Sequence, residues 1–290
     1  MICRWIAAMR PRTLTASLSP VLLGCSLAAH DGVYRPVPAL LCFMVALTAQ
    51  VASNFANDYF DFVKGADTAG RLGPVRAVAS GSISPCAMLA ATFITLAATG
   101  VCGLFLLLYA GWWLLPVGLA IALCSLAYSA GPFPLAYNGL GDICVLIFYG
   151  IVPVCFTYYV QALEFSPLSL LLSLPVGLMS VNILVINNYR DYHEDLRAGK
   201  RTSIVIFGRG FGRRLYLFCG MAAFALSLPL LITVTPWMIA LHAAFFVLIF
   251  LPAWRSMTIS EGKALNKVLG RTALNTLLYT FLLILTIFLQ

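Results

Sequence analysis

Charge is scarce in this sequence: Asp, Glu, Lys and Arg make up 10% of 290 residues, where a soluble protein carries roughly 25%. That excludes a water-soluble globular fold. Histidine is rarer still, at 3, and the 9 cysteines stand singly with no CxxC pair, which excludes a zinc cluster and a secreted disulfide framework. The ten-residue alternating segments of a transmembrane barrel are missing too. What remains is long apolar sequence, 61% hydrophobic overall with a mean hydropathy of +0.95. A helix needs about 20 apolar residues to cross a bilayer. Stretches at 14–30, 37–60, 86–109, 112–129, 140–161, 167–189, 214–233, 237–254 and 270–289 meet that need. They predict an all-α polytopic membrane bundle of about nine transmembrane helices, one integral-membrane domain over residues 1–290.

The 18 basic residues divide sharply between the two sides of such a bundle. Seventeen fall before the first stretch or in the loops at 64–76, 190–214 and 255–271, and only Arg35 falls opposite. By the positive-inside rule the N-terminus and those loops face the cytoplasm of a plasma membrane, and an odd span count puts the C-terminus outside. The net charge of +8 then follows from topology and attraction to anionic lipid, with no nucleic-acid partner required.

Acidic residues obey no such rule, so their placement is more informative. Six of the ten gather in SNFANDYFDFVKGAD and INNYRDYHEDLRAGK, at the cytoplasmic ends of spans two and six. Residues three or four apart share a helix face, so Asn54, Asp58 and Asp61 form one stripe and Asn187, Asp191 and Asp195 another. Stacked carboxylates repel, and sit badly at a helix C-terminus. A divalent cation between them removes the conflict. Oxygen donors without His or Cys suit Mg²⁺, which takes one or two carboxylates and completes its shell with water and substrate phosphate. Lys64, Arg71, Arg76, Arg190, Lys200 and Arg201 lie close by in sequence to receive that phosphate. The two acidic exits also occupy matching places in two four-helix units followed by a ninth helix, an arrangement that puts a site between repeats.

These residues resemble the UbiA-type intramembrane aromatic prenyltransferases. The first motif of that family, NDxxDxxxD, is matched by Asn57, Asp58 and Asp61 in NDYFDFVKGAD, with Asp67 six residues beyond Asp61 where the pattern has four; the second, DxxxD, is matched by Asp191 and Asp195. WIAAMRPRTLTASLSPVLLG, YSAGPFPLAYNGLGD, TYYVQ and NNYRDYHEDLRAGKRT are similar to the branch that prenylates 1,4-dihydroxy-2-naphthoate in menaquinone synthesis. The resemblance implies a nine-helix bundle with both motifs facing a central cavity. It implies Mg²⁺ held by Asn57, Asp58, Asp61, Asp191 and Asp195, the four aspartates acting in catalysis. It further implies a polyprenyl diphosphate contacted by Asn54, Lys64, Arg76 and Lys200, and an aromatic acceptor met by Arg190, Arg201, Tyr128 and Asn187. Either Arg190 or Arg201 is expected to take the acceptor's carboxylate.

An allylic cation needs walls that exclude water, and Tyr59, Phe60, Tyr128, Tyr149 and Tyr189 are candidates. His193 falls off the second stripe, and His30 and His242 read as structural. Asp142 suits the start of span five as a helix cap. Two rivals stand beside this reading. A sister enzyme would share the metal site and take another acceptor such as 4-hydroxybenzoate. A transporter would need polar residues continuing outward, whereas spans two and six are apolar beyond their motifs.

Overall fold

The structure is a computed structural model that describes residues 2–66 and 71–290, so the expectation for Asp67 falls outside the described residues. It is all-helical. In chain order the helices are α1 (Ile2–Met9), α2 (Pro11–His30), α3 (Pro36–Val63), α4 (Pro85–Ala110), α5 (Leu115–Ala127), α6 (Gly141–Ala162), α7 (Pro167–Arg190), α8 (Tyr192–Arg197), α9 (Ser203–Phe207), α10 (Arg209–Leu231), α11 (Pro236–Ile259) and α12 (Gly262–Phe288). Among the described residues eight are long and apolar enough to span a membrane: α2, α3, α4, α6, α7, α10, α11 and α12. The ninth expected span, 112–129, is a shorter apolar helix over Trp112–Ala127. At 1.5 Å per residue such a helix falls short of a bilayer core of about 30 Å.

Prolines set the starts of five of the eight spanning helices. Pro11, Pro36, Pro85, Pro167 and Pro236 each occupy the first turn of a helix, where a missing N–H costs nothing. Inside spans the same residue has another effect. Pro153 and Pro252 follow π-helical turns at Ile147–Ile151 and Phe246–Phe250, because a proline ring collides with the carbonyl four residues back and the backbone widens to relieve it.

Helix α7 is the hub, with 72% of its spanning stretch buried against 22% for α4. It packs on α10 as α3 packs on α4, while α2 packs on α6 and α12. The matching pairs are those expected of two related units. Gly150 and Gly177 make a close crossing: a Cβ on Gly150 would lie 2.6 Å from the Gly177 Cα and 2.8 Å from the Ser173 carbonyl oxygen. Only two glycines let α6 and α7 approach so near. The amphipathic α1 packs Trp5 on Phe55 of α3 and exposes Ile2 and Ile6 on its other side, as an interfacial helix does.

Candidate active site

One cavity of about 510 Å³ runs up the middle of the bundle. Its upper walls are apolar, with Leu107 and Gly103 from α4, Leu115 and Gly118 from α5, and Phe148 and Phe156 from α6. Its lower end is polar. There Asp61 comes from α3, Asp191 from the junction of α7 and α8, Glu194 and Asp195 from α8, and Arg71, Arg76 and Lys200 from the segments between helices. Two acidic exits far apart in sequence therefore share one chamber.

The second stripe is not a continuous helix. Helix α7 stops at Arg190 and α8 restarts at Tyr192, with Asp191 between them at φ −88 and ψ 7. Asp191 and Asp195 still line the same end, because the Asp195 amide donates to the Asp191 carbonyl at 2.8 Å. Asn187 and Asn188 join them in the wall.

Each of the three aspartates has cationic company. Asp61 accepts from Arg76 Nη2 and from the Tyr137 hydroxyl, both at 2.9 Å, and lies 3.9 Å from Lys200 Nζ. Asp191 accepts a two-pronged bond from Arg190, at 2.6 and 2.7 Å, and stands 3.7 Å from Arg71. Asp195 is 4.0 Å from Lys200. Burial pushes the Asp195 carboxyl up to about 7, helped by Asp191 and Asp61 against the pull of Lys200 and Arg71. For Lys200 burial acts downward, but Asp61, Asp195 and Asp191 outweigh it and its affinity for the proton rises.

Several expected site residues have other work. Asp58 does not line the cavity. Its two oxygens accept from the backbone amides of Ala77 and Val78, each at 3.0 Å, capping the turn that follows Arg76. Asp58 thus fixes the segment that aims Arg76 at Asp61. Lys64 is exposed; it donates to the Ser129 carbonyl at 2.6 Å and lies over the Tyr137 ring. Asn54 lines the cavity but donates to the Met9 carbonyl and the Thr13 hydroxyl.

The two arginines expected at the acceptor carboxylate make other contacts in the structure. Arg190 is buried outside the cavity wall and binds Asp191, Asn187 and Asn266. Gly73 leaves room for this, since a Cβ there would lie 2.7 Å from Arg190 Nη2 and push the guanidinium aside. Arg201 is exposed, its amide bonded to the Tyr137 carbonyl. Of the aromatic candidates, Tyr128 and Tyr149 line the cavity. Tyr59 and Phe60 pack on each other, and buried Tyr189 accepts from Arg213. His193 is exposed, and Asp142 sits at the start of α6 away from the wall.

Sequence reasoning missed three contributors. Tyr137 reaches Asp61 from the 128–138 segment, and Glu194 accepts from the Leu72 amide at 2.9 Å, holding the Arg71–Arg76 segment over the chamber. The third is Arg10, which lines the cavity from a left-handed turn, φ 52 and ψ 70, between α1 and α2. That conformation costs an L-residue about 1–2 kcal/mol. Its only sequence signal is the Arg-Pro pair that interrupts a helical pattern.

Among the described residues no three of His, Cys, Asp and Glu converge into a ready-made metal cage. The donors at the polar end are carboxylate and amide oxygens on three separate segments, which fits Mg²⁺, an ion that takes few protein ligands and relies on phosphate and water for the rest.

Residues 17–285 match the UbiA prenyltransferase family. This chain is a UbiA-family prenyltransferase. A 1,4-dihydroxy-2-naphthoate octaprenyltransferase of Escherichia coli (strain K12) is 34% identical over 299 residues, covering 99% of this chain and 95% of that protein. A protein of the same name from Mycobacterium leprae (strain TN) is 36% identical over 236 residues, 81% of this chain and 79% of its own length. The UbiA fold is similar to that of a UbiA homologue from Archaeoglobus fulgidus bound to DMAPP and Mg²⁺, with a TM-score of 0.71 at 14% identity over 99% of this chain and 100% of that one.

Proposed function

We propose that this UbiA prenyltransferase transfers a polyprenyl group from polyprenyl diphosphate to 1,4-dihydroxy-2-naphthoate, releasing CO₂ and forming a demethylmenaquinol on the path to menaquinone. The observation that carries the proposal is a chamber with carboxylates and cations at one end and apolar walls at the other, in a chain one third identical along 99% of its length to a naphthoate octaprenyltransferase.

The chain's own residues divide the task. Arg76 and Lys200, one gripped by Asp61 and the other within 4.0 Å of it and Asp195, receive the diphosphate and stabilise the negative charge that grows on it as the allylic C–O bond breaks. Asn57, Asp61, Asp191 and Asp195 are the groups that would hold Mg²⁺, which when bound neutralises the leaving group. Tyr128, Tyr149, Phe148 and Phe156 exclude water and present ring faces to the allylic cation. The ring carbon bearing the carboxylate forms the new C–C bond. Loss of CO₂ then returns its bonding pair to the ring, so no proton leaves that carbon and no general base is needed there.

The basic bias of 17 to 1 supports an orientation with the polar end and the N-terminus cytoplasmic. The test is product formation by purified protein from the naphthoate and a polyprenyl diphosphate, with Mg²⁺ or EDTA, and with Asp61→Ala and Asp191→Ala. A decarboxylated, prenylated naphthoquinol that needs metal and disappears in both variants is the expected result. Turnover of 4-hydroxybenzoate in its place would reject the acceptor and keep the chemistry.

A further inference from the structure

We infer that Arg10 is the residue that receives the acceptor's carboxylate. The assignment rests on the acceptor reading above and goes beyond it, because Arg190 and Arg201, the cations that sequence favours, do not face the cavity.

Arg10 reaches the cavity through a turn held from both sides. Thr13 donates to the Arg10 carbonyl through its amide and its hydroxyl, each at 2.9 Å. From α3, the Asn54 side-chain amide donates to the Met9 carbonyl at 2.8 Å and to the Thr13 hydroxyl at 3.2 Å. Gln50, one turn further along α3, donates to Asn54 at 3.3 Å. Two polar side chains of a spanning helix are thus committed to keeping one non-glycine residue left-handed. Backbone strain maintained in this way is characteristic of positions that aim a functional group.

The place it aims at is distinct from the diphosphate end. Asn54 precedes Asp61 by seven residues on α3, about 10 Å along the axis. From the carboxylate end, that direction is the one in which the allylic carbon must lie, since the apolar tail fills the upper walls. An acceptor attacking that carbon sits beside Arg10, with Tyr149 and Gln50 as neighbours. A planar guanidinium matches a carboxylate with two parallel bonds. Because that carboxylate is attached to the reacting ring carbon, holding it positions the carbon that forms the new bond.

Glycine adopts the same backbone conformation without strain, so Arg10→Gly removes the side chain and leaves the turn intact; Arg10→Lys keeps a charge without the fork. Steady-state kinetics at saturating Mg²⁺ would compare both variants with the wild type. The naphthoate KM should rise about 10- to 100-fold in Arg10→Gly and less in Arg10→Lys. The diphosphate KM should stay within about twofold, and competitive inhibition by 1,4-dihydroxynaphthalene, which lacks the carboxylate, should be unchanged. An unaltered naphthoate KM, a rise confined to the diphosphate, or equal weakening of acid and decarboxylated analogue would each overturn the assignment. A wild type that uses 4-hydroxybenzoate overturns the acceptor reading alone, and the same variants read against that acid and phenol then decide on Arg10. A wild type that accepts no aromatic acid overturns both.

Discussion

Replacing Asp58 separates two roles that its motif would merge. In the structure its carboxylate is 2% exposed and accepts from the Ala77 and Val78 amides. Asp58→Ala leaves both donors buried without partners, at about 1–3 kcal/mol each. Even the lower total, about 2 kcal/mol, multiplies opening of the segment roughly 30-fold at 1.4 kcal/mol per tenfold. Glu194 and Asn266 still hold Leu72 at the near end, so the loss should be local to the turn after Arg76. Hydrogen exchange in detergent is the direct assay: the Ala77 and Val78 amides should lose protection by that factor or more, while α3 and α7 keep theirs. Activity should fall alongside through a raised KM for polyprenyl diphosphate, because Arg76 is no longer aimed. Unchanged exchange at both amides with Mg²⁺-dependent turnover abolished would refute the reasoning and return Asp58 to the metal.

Two further outcomes follow from the geometry. Gly150→Ala pushes a methyl group into the backbone of Gly177 and Ser173, an overpacking that costs about 1–3 kcal/mol; the melting temperature in detergent should drop by about 2–4 °C per kcal/mol, and an unchanged Tm would show that the crossing is looser than described. Burial raises the metal-free Asp195 carboxyl to about 7, and a protonated carboxyl does not bind a cation. The Mg²⁺ concentration for half-maximal activity should therefore climb as pH falls below about 7, and Asp195→Asn should flatten that dependence; an equally steep curve in the variant would assign it to another group.

The spans were legible because a bilayer imposes a length and an apolar composition that a window can read. The two acidic clusters were legible as partners because carboxylates at membrane exits need a reason. Periodicity told less about what each carboxylate does. Asp58 and Asp61 sit one turn apart on α3, yet one caps a turn from residues 76–80 and the other faces the cavity, and the difference lies in a loop that crosses the helix from elsewhere in the chain. The contacts of Arg190 were hidden for a similar reason. It follows Tyr189 and precedes Asp191 in the motif, but its nearest unfilled need is the Asp191 carboxylate itself. Arg10 was counted as one of many cytoplasmic cations; its cavity-facing role depends on a backbone angle that no hydropathy pattern encodes. The shortness of α5 was hidden because Tyr128 follows the apolar run directly, after the helix has ended at Ala127.

The polar end of the cavity has a consequence for how the protein is made and loaded. Among the described residues, four carboxylates (Asp61, Asp191, Glu194 and Asp195) stand with three cations in the same wall (Arg71, Arg76 and Lys200) and with Arg190 behind it, bound to Asp191. An uncompensated charge at that depth costs several kcal/mol, and this near-neutral set avoids the cost without cargo. The chain can therefore be inserted into the bilayer and stay folded while empty. A lone divalent cation or a lone diphosphate would upset the balance, whereas the two arriving together largely offset each other. A chamber that binds the proposed Mg²⁺ and diphosphate at these residues would act as an ion exchanger, trading internal salt contacts for an incoming salt.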